Sequence, residues 1–496
     1  MARSIQSTAA LLGLAAVVAS VPLPTARSTS SISWSACPEE YGFPSNLTCA
    51  NYTVPLDWSR PDRNETIELG MVRLAAADEA NRIGYLFINP GGPGGQATST
   101  VASLASGTRE VDSELLAKFD IIGLDPRGVG ISTPVQCDIA TYNKRVSFFP
   151  KTQDEFDELV AYNKAVGASC HEKTGRLIDF VDTISAVKDH EAVRQALGGD
   201  KATFLGLSYG TQLFSQYAQL YPEGIRAMVL DGNLQRSQSE SSNLLIESST
   251  YQATLEQFFS WCNASDECPL QGQDVEAKFK EVLSKAEEGP IPAPGCDDVS
   301  CRSDMTAEEM LFNVQGYLIS QGNWPTLGEG LVEAGNGNAT ILSSAQPLAV
   351  GDAYEDSYLF AGTAIACQDW GHAATTLADV TAKEALGSTF TPLTQGACQS
   401  YKIQTSCIGW PAALTNPPKP VSYEGNTTIL MVNSLYDPST SYTWALGLQY
   451  EIKNNVLLTR NGSGHTSWGL GGNTTEIENE YLINLTLPEP GTITTS

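Results

Sequence analysis

The sequence predicts an α/β fold: a mostly parallel sheet covered by helices and interrupted by a large, mainly helical insertion. Three observations predict it. From about residue 66 to 235, short apolar runs alternate with amphipathic stretches, the pattern of strand–helix–strand units. From about 234 to 420 the strand signal fades into helical stretches and loops with closely spaced cysteines. Two more apolar runs follow, Thr428–Asn433 and Asn455–Thr459, and supply late strands to the same sheet. The expected organisation is a signal peptide at 1–20, a lead-in at 21–51, the core in two parts at 52–235 and 421–496, and a cap insertion at 236–420.

The chain has 496 residues, 42% hydrophobic and 17% charged, with a formal net charge of -27. That charge excludes a nucleic-acid partner, which needs clustered Lys and Arg. The N-terminus has a secretory pattern: Arg3, an apolar stretch from Ala9 to Val18, and the small residues Val18-Ala19-Ser20. The stretch is too short to span a bilayer, so no membrane attachment is expected after its removal. Asn-x-Ser/Thr sequons at Asn46, Asn51, Asn64, Asn263, Asn338, Asn426, Asn461, Asn473 and Asn484 agree with export into a glycosylating, extracellular route. In such a compartment the 11 cysteines read as disulfides. Close pairs are Cys37/Cys49, Cys262/Cys268 and Cys296/Cys301, with Cys137 and Cys170 as a further pair. Cys367, Cys398 and Cys407 leave one thiol over, and spacing does not say which. No Cys-x-x-Cys or His-rich spacing supports a metal site, and no cofactor is implied.

In chain order, Val21–Ser35 is a Ser/Pro/Thr-rich lead-in and Thr66–Ala75 alternates as a strand. Gly84–Asn89 is an apolar run that passes straight into Pro90-Gly91-Gly92-Pro93-Gly94-Gly95. That loop lacks the Lys-Ser/Thr of a phosphate-binding loop and the Gly-x-Gly-x-x-Gly of a dinucleotide site. Its bare backbone fits close approach to a substrate oxygen instead. Phe119–Asp125 is the next strand, and the Asp125/Arg127 pair in the turn behind it reads as a structural ion pair. A helix is expected over about Asp182–Leu197, and a strand over Ala227–Gly232. In the insertion, Phe258–Trp261 and Leu311–Leu318 look amphipathic, and Thr306-Ala307-Glu308-Glu309 has capping-box form.

The centre of the chemistry is Gly206-Leu207-Ser208-Tyr209-Gly210. An apolar strand precedes Ser208, and Leu213, Phe214, Tyr217, Ala218 and Tyr221 follow at helical spacing until Pro222. A serine on such a turn is held in a strained conformation that exposes its hydroxyl, and flanking side chains would collide with neighbouring elements. Acyl transfer by that serine needs a base and a group to orient the base. Of the four histidines, only His372 and His465 follow Ser208. His465 lies past the last strand and Asp437 past the strand before it, whereas His372 has no strand before it. Glu424 precedes its strand and is a poor substitute for Asp437. Ser208, Asp437 and His465 therefore form the expected triad.

Asn89–Gly95, Asp125–Ser132, Gly206–Gly210, Leu230-Asp231-Gly232, Ala364–Asp369, Asp437 and Gly464-His465 together resemble the tripeptidyl-peptidase/prolyl aminopeptidase branch of serine α/β-hydrolases. Cys49–Trp58 resembles its N-terminal segment, and Trp410-Pro411 part of its TAP-like C-terminal region. The resemblance implies the α/β-hydrolase fold and a secreted serine exopeptidase acting on peptides with a free N-terminus, of tripeptidyl or prolyl-aminopeptidase type. It also implies an oxyanion hole from the N–H groups of Tyr209 and Gly92, and acidic groups near the cap that meet the substrate amine. Asn89-Pro90 at the head of the loop fits the tripeptidyl branch better. An esterase or lactonase on the same fold is the alternative, because one triad serves many chemistries.

Overall fold

The computed structural model describes residues 31–297, 300–346 and 358–495, so the expected signal peptide at 1–20 lies outside the described residues. Four strands form the centre of the sheet: β4 (Gly84–Asn89), β5 (Phe119–Leu124), β6 (Ala202–Leu207) and β7 (Ile225–Asp231). Before them come β1 (Ser35–Ala36), β2 (Leu47–Pro55) and β3 (Thr66–Leu74); the insertion carries β8 (Ile291–Pro292) and β9 (Asp304–Met305); after it come β10 (Ile429–Tyr436), β11 (Asn455–Ser463) and β12 (Ile493–Thr494). The main sheet has ten strands in the order β1-β2-β3-β5-β4-β6-β7-β10-β11-β12. β1, β2, β3 and β5 pair antiparallel in turn, and every later neighbour is parallel. The sheet thus starts at Ser35, inside the expected lead-in.

The central strands form because their residues can be buried on both faces. Every residue of β5 and β6 is buried. Successive residues alternate between two apolar cores: Phe87, Phe204, Met228 and Met431 on one side, and Leu86, Leu205, Val229 and Leu430 on the other. Helix Tyr209–Leu220 lays Leu213, Phe214, Tyr217 and Ala218 fully into the first core. Helix Thr183–Ala196 is capped by Asp182, whose carboxylate accepts from Ser185 N–H at 3.0 Å. A 22-residue helix, Gln153–Thr174, with a Thr152/Glu155 capping box, runs where no helix was expected. Only Phe156, Leu159, Asn163, Val166, Gly167 and Cys170 of it are buried, a narrow stripe with a weak pattern.

Within the insertion, helices Glu240–Ala264, Val275–Glu288, Ala307–Leu318 and Trp324–Gly335 surround their own core of Tyr251, Phe258, Phe279, Trp324 and Leu331. The expected capping box at Thr306 and Glu309 is formed. Helix Tyr358–Asp369 behaves differently, sending Phe360 and Ile365 into the core of the sheet. As a packing unit the insertion is therefore smaller than the interval 236–420.

Five disulfides join Cys37–Cys49, Cys137–Cys170, Cys262–Cys268, Cys296–Cys301 and Cys367–Cys407, and the buried thiol left over is Cys398. Eight of the nine sequon asparagines are exposed, with Asn338 partly covered. Among the described residues no helix is long and apolar enough to cross a membrane.

The expected Asp125–Arg127 pair does not form. Arg127, with no exposed surface, makes a two-pronged contact with Asp189 at 2.7 and 2.6 Å and also donates to the carbonyls of Leu56, Phe180 and Pro55. Asp125 accepts from Thr98 N–H at 3.0 Å, Thr98 Oγ1 at 2.8 Å and Ile131 N–H at 3.0 Å. The planar guanidinium fork finds a matching carboxylate on a neighbouring helix, while Asp125 serves as a staple for backbone donors.

Candidate active site

Ser208 stands between β6 and helix Tyr209–Leu220 with φ 58° and ψ -125°, a conformation that side-chain-bearing residues seldom adopt. Its N–H donates to the carbonyl of Asp231 at 2.9 Å, and its carbonyl accepts from Thr211 N–H at 2.8 Å. The flanking glycines are required by contact. A Cβ on Gly206 would lie 2.5 Å from Gly210 O, and one on Gly210 would lie 2.6 Å from Asn89 O. The glycine loop after β4 lies directly against the serine, since a Cβ on Gly91 would be 2.7 Å from Ser208 Cβ and 2.9 Å from Tyr209 N. Asn89 shapes that loop by accepting Gly91 N–H at 3.0 Å. Tyr209 is the first residue of its helix, so its N–H has no carbonyl partner within the helix. The Tyr209 hydroxyl meets Thr183 Oγ1 at 2.5 Å, and Thr183 N–H in turn donates to Asp369 at 3.1 Å. Through Thr183 this acid of the Ala364–Asp369 motif is tied to the Tyr209 side chain, and burial raises its pKa to about 7.

Asp437, fully buried, follows β10, and His465 follows β11. His465 Nδ1 lies 3.0 and 2.9 Å from the two carboxylate oxygens. The carboxylate also accepts from Ser439 N–H at 2.9 Å, Thr440 N–H at 2.8 Å and Thr440 Oγ1 at 2.8 Å. Burial works against the Asp437 charge, but the imidazole charge, its hydrogen bond and the backbone donors win, and the pKa falls below its usual value. Burial likewise works against the imidazolium, yet Asp437 overcomes it, with Asp231 and Glu247 helping at longer range, and the His465 pKa rises. With Nδ1–H turned to Asp437, Nε2 is the nitrogen free to take a proton.

Gly232 links histidine and serine. The residue before it accepts the Ser208 N–H, and a Cβ on Gly232 would stand 3.3 Å from His465 Cε1. Among the described residues, none of the other three histidines makes a comparable contact with a carboxylate. His372 bonds the carbonyl of Cys367 at 3.0 Å, buried His190 bonds Ala186 O at 2.8 Å, and half-exposed His171 is 3.8 Å from Asp179. Glu424 is on the surface with Lys453.

The loops of Asp437 and His465 are held from two sides, by contacts whose partners the sequence did not pair. Asp231 accepts Ser467 and Trp468 N–H at 2.6 and 2.8 Å, and Arg460 donates to the carbonyls of Ser463, Gly464 and Thr466, so both grip the His465 loop from below. From above, the insertion reaches in. Ile319 O accepts the His465 N–H at 2.7 Å, Thr250 Oγ1 donates to Asp437 O at 2.8 Å, and Gln315 Nε2 donates to Pro438 O at 2.9 Å.

A narrow cleft of about 50 Å³ opens at Ser208, lined in part by Gly92, Arg236, Glu247, Trp370 and Thr440. Glu247 is the carboxylate among its lining residues. It accepts from Gln315 Nε2 at 2.9 Å, Gln399 N–H at 3.0 Å and Ser400 N–H at 2.8 Å, while burial pushes its pKa up to about 7. It lies within a long helix, and nothing local in the sequence separates it from other helical glutamates.

Comparison with known proteins agrees with this fold. The alpha/beta hydrolase fold family matches residues 85–292, and the TAP-like protein family matches 392–494. The chain is 29% identical to the serine protease Hip1 of Mycobacterium tuberculosis over 93% of this chain and 90% of that one. It is 25% identical to a tripeptidyl aminopeptidase of Streptomyces coelicolor over 87% of this chain and 80% of that one. It is also 27% identical to carboxylesterase B of Mycobacterium tuberculosis, over 88% and 84%. The chain is a serine hydrolase of the α/β-hydrolase fold with a TAP-like C-terminal region.

Proposed function

We propose that this serine hydrolase is a secreted exopeptidase that cleaves peptides near a free N-terminus through an acyl-enzyme on Ser208. The observation that carries the reading is the buried Asp437–His465 pair, 2.9 Å apart, beside a strained serine turn. His465 Nε2 takes the Ser208 proton as Oγ bonds to the scissile carbonyl carbon. The carbonyl oxygen becomes an oxyanion held by the N–H groups of Tyr209 and Gly92, each worth about 2.7–4 kcal/mol in comparable sites. His465 then gives its proton to the leaving amine as the C–N bond breaks. Water, deprotonated by the same nitrogen, releases the acyl group and restores Ser208. Asp437 fixes the tautomer and stabilises the imidazolium throughout.

Glu247 lines the cleft as a carboxyl whose charged form a substrate ammonium would favour, which supports the free-amine requirement. The relatives named as a serine protease and a tripeptidyl aminopeptidase support peptide bonds as the target. Five disulfides and exposed sequons support export. The carboxylesterase relative favours a second reading, a secreted esterase acting on a small metabolite.

The test uses the full chain and chromogenic peptides of one to four residues, each with a free and an acylated amino terminus, beside a simple acyl ester. Cleavage confined to free-amine peptides is expected, and the preferred length separates tripeptidyl from prolyl activity. Ester cleavage without peptide cleavage would replace this reading by the esterase one. Ser208→Ala and His465→Ala should each abolish turnover and fluorophosphonate labelling while His372→Ala is tolerated. A damaging His372→Ala with a harmless His465→Ala would overturn the assigned base.

A further inference from the structure

Beyond Gly92 a second and larger cavity opens, about 240 Å³. It shares Gly92, Gln399 and Ile403 with the Ser208 cleft, so the two adjoin at the proposed oxyanion loop. Its walls are aromatic, with Tyr142, Phe148, Tyr162, Tyr358 and Trp410, and among the described residues no carboxylate lines it. The Tyr162 hydroxyl is spent on Tyr142 O at 2.7 Å, which leaves that ring an apolar wall.

Two donors stand in this apolar setting. Lys402, an exposed residue, lines the cavity, and its ammonium lies 5.6 Å from the Phe148 ring and 5.4 Å from the Phe312 ring. The surrounding protein lowers its pKa; Glu308 and Glu309 act on it through space, but Glu308 is bonded to Phe148 N–H and Ser147 Oγ, and Glu309 to Arg145. Trp410 is 7% exposed, and its indole N–H has no hydrogen-bond partner among the described residues. A buried donor and a cation, neither with a hydrogen-bonding partner or ion pair among the described residues, on one apolar cavity ask for an apolar group with an anionic acceptor at its end.

We propose that this cavity is a substrate subsite for an apolar segment that ends in a carboxylate, with Lys402 as its counter-charge and the Trp410 N–H as a further donor. The proposal rests on Ser208 being the reacting centre, because the cavity adjoins it. Two sources share this chemistry: the C-terminal carboxylate of a short peptide and the side chain of an acidic residue beyond an apolar one.

The test measures kcat/KM on short apolar peptides of one sequence, made with a C-terminal acid or amide and with Glu or Gln at the residue beyond the scissile bond. The carboxylate form should be preferred by roughly ten- to a hundredfold, the worth of a charge-assisted hydrogen bond, and mainly through KM. Dependence on the terminus identifies a peptide end as the occupant, and dependence on Glu identifies a side chain. Lys402→Met should bring the ratio close to one while leaving cleavage of the amide peptides unchanged, and Lys402→Arg should restore much of it. Trp410→Phe should lower the ratio by a smaller factor. Equal rates for acid and amide forms in the unmodified protein, or a ratio that survives Lys402→Met, would overturn the subsite. If no peptide is cleaved at all, the peptidase reading fails. The subsite is then decided by chromogenic esters of a linear dicarboxylic acid against those of its monomethyl ester, with the same dependence on Lys402 expected.

Discussion

Replacing Asp437 by asparagine changes one atom, and the structure dictates where that atom goes. One carboxylate oxygen holds the N–H groups of Ser439 and Thr440 at 2.9 and 2.8 Å, and these cannot turn away. In Asp437→Asn the amide oxygen must stay with them. The NH2 group then falls on the side of His465 Nδ1, 2.9 Å away, where it meets another donor. The retained oxygen, 3.0 Å from Nδ1, still competes for the Nδ1 proton, but the nearer NH2 is accommodated best when that proton moves to Nε2, the nitrogen the proposed mechanism needs to accept from Ser208. The base is thus locked in the wrong tautomer, at a cost of about 10⁴ in kcat by analogy with the same change in a serine protease, or roughly 5 kcal/mol of barrier. The pH profile should move as well. Activity needs neutral imidazole, and Asp437 raises the His465 pKa, so without that charge the acidic limb shifts to lower pH. Steady-state hydrolysis of the best chromogenic peptide from pH 4 to 9, with circular dichroism to verify folding, is the assay. A folded variant within tenfold of the parent, with an unmoved acidic limb, would refute the tautomer argument.

The same pair predicts a window of stability. The Asp437 contribution is present above the ordinary 3.8 and lost as pH falls through its lowered folded value, while that of His465 is present below 6.5 and lost as pH rises through its raised one. The melting-temperature gap between the parent and Asp437→Asn should therefore be largest between pH 3.8 and 6.5, and a flat gap would contradict the coupling. Gly91→Ala puts a Cβ 2.5 Å from Leu207 O at a φ of +97°, so the loop must lift off the serine; kcat should fall by about 10²–10³, the loss of one oxyanion donor. A kcat within twofold would show that this loop does not serve the oxyanion. Thiol reagents should label no cysteine in the native protein and one, Cys398, after denaturation without reductant; peptide mapping of the labelled chain checks it.

The parts of this fold legible in the sequence are those whose cause is local. β4 to β7 are runs of apolar residues with no polar face to confuse them, and Ser208 sits in a turn that tolerates only glycine on either side. The order and strand-end positions of Asp437 and His465 were legible because loops at that edge must supply both groups. Helix Gln153–Thr174 was missed since its buried stripe includes Asn163 and Gly167, which break the apolar period. Arg127 was assigned the wrong partner because Asp189 lies 62 residues away and only the packing of helix Thr183–Ala196 brings it close. Glu247 was invisible for a similar reason: a charged residue inside a helix reads as solvated until the fold encloses it.

The contacts at Ile319, Thr250 and Gln315 bear on how this scaffold could be re-engineered. Specificity in layered hydrolases invites exchange of the inserted region as a cassette, with the catalytic frame left as a constant chassis. Here the chassis is not self-sufficient. His465 hangs by a backbone hydrogen bond from the cassette, and the Asp437-Pro438 turn is held by two cassette side chains. A chimera that imports a foreign insertion without a carbonyl at the place of Ile319 inherits a loosened base along with its new selectivity. Grafting would have to begin with those three anchoring contacts and only then address the walls of the cleft.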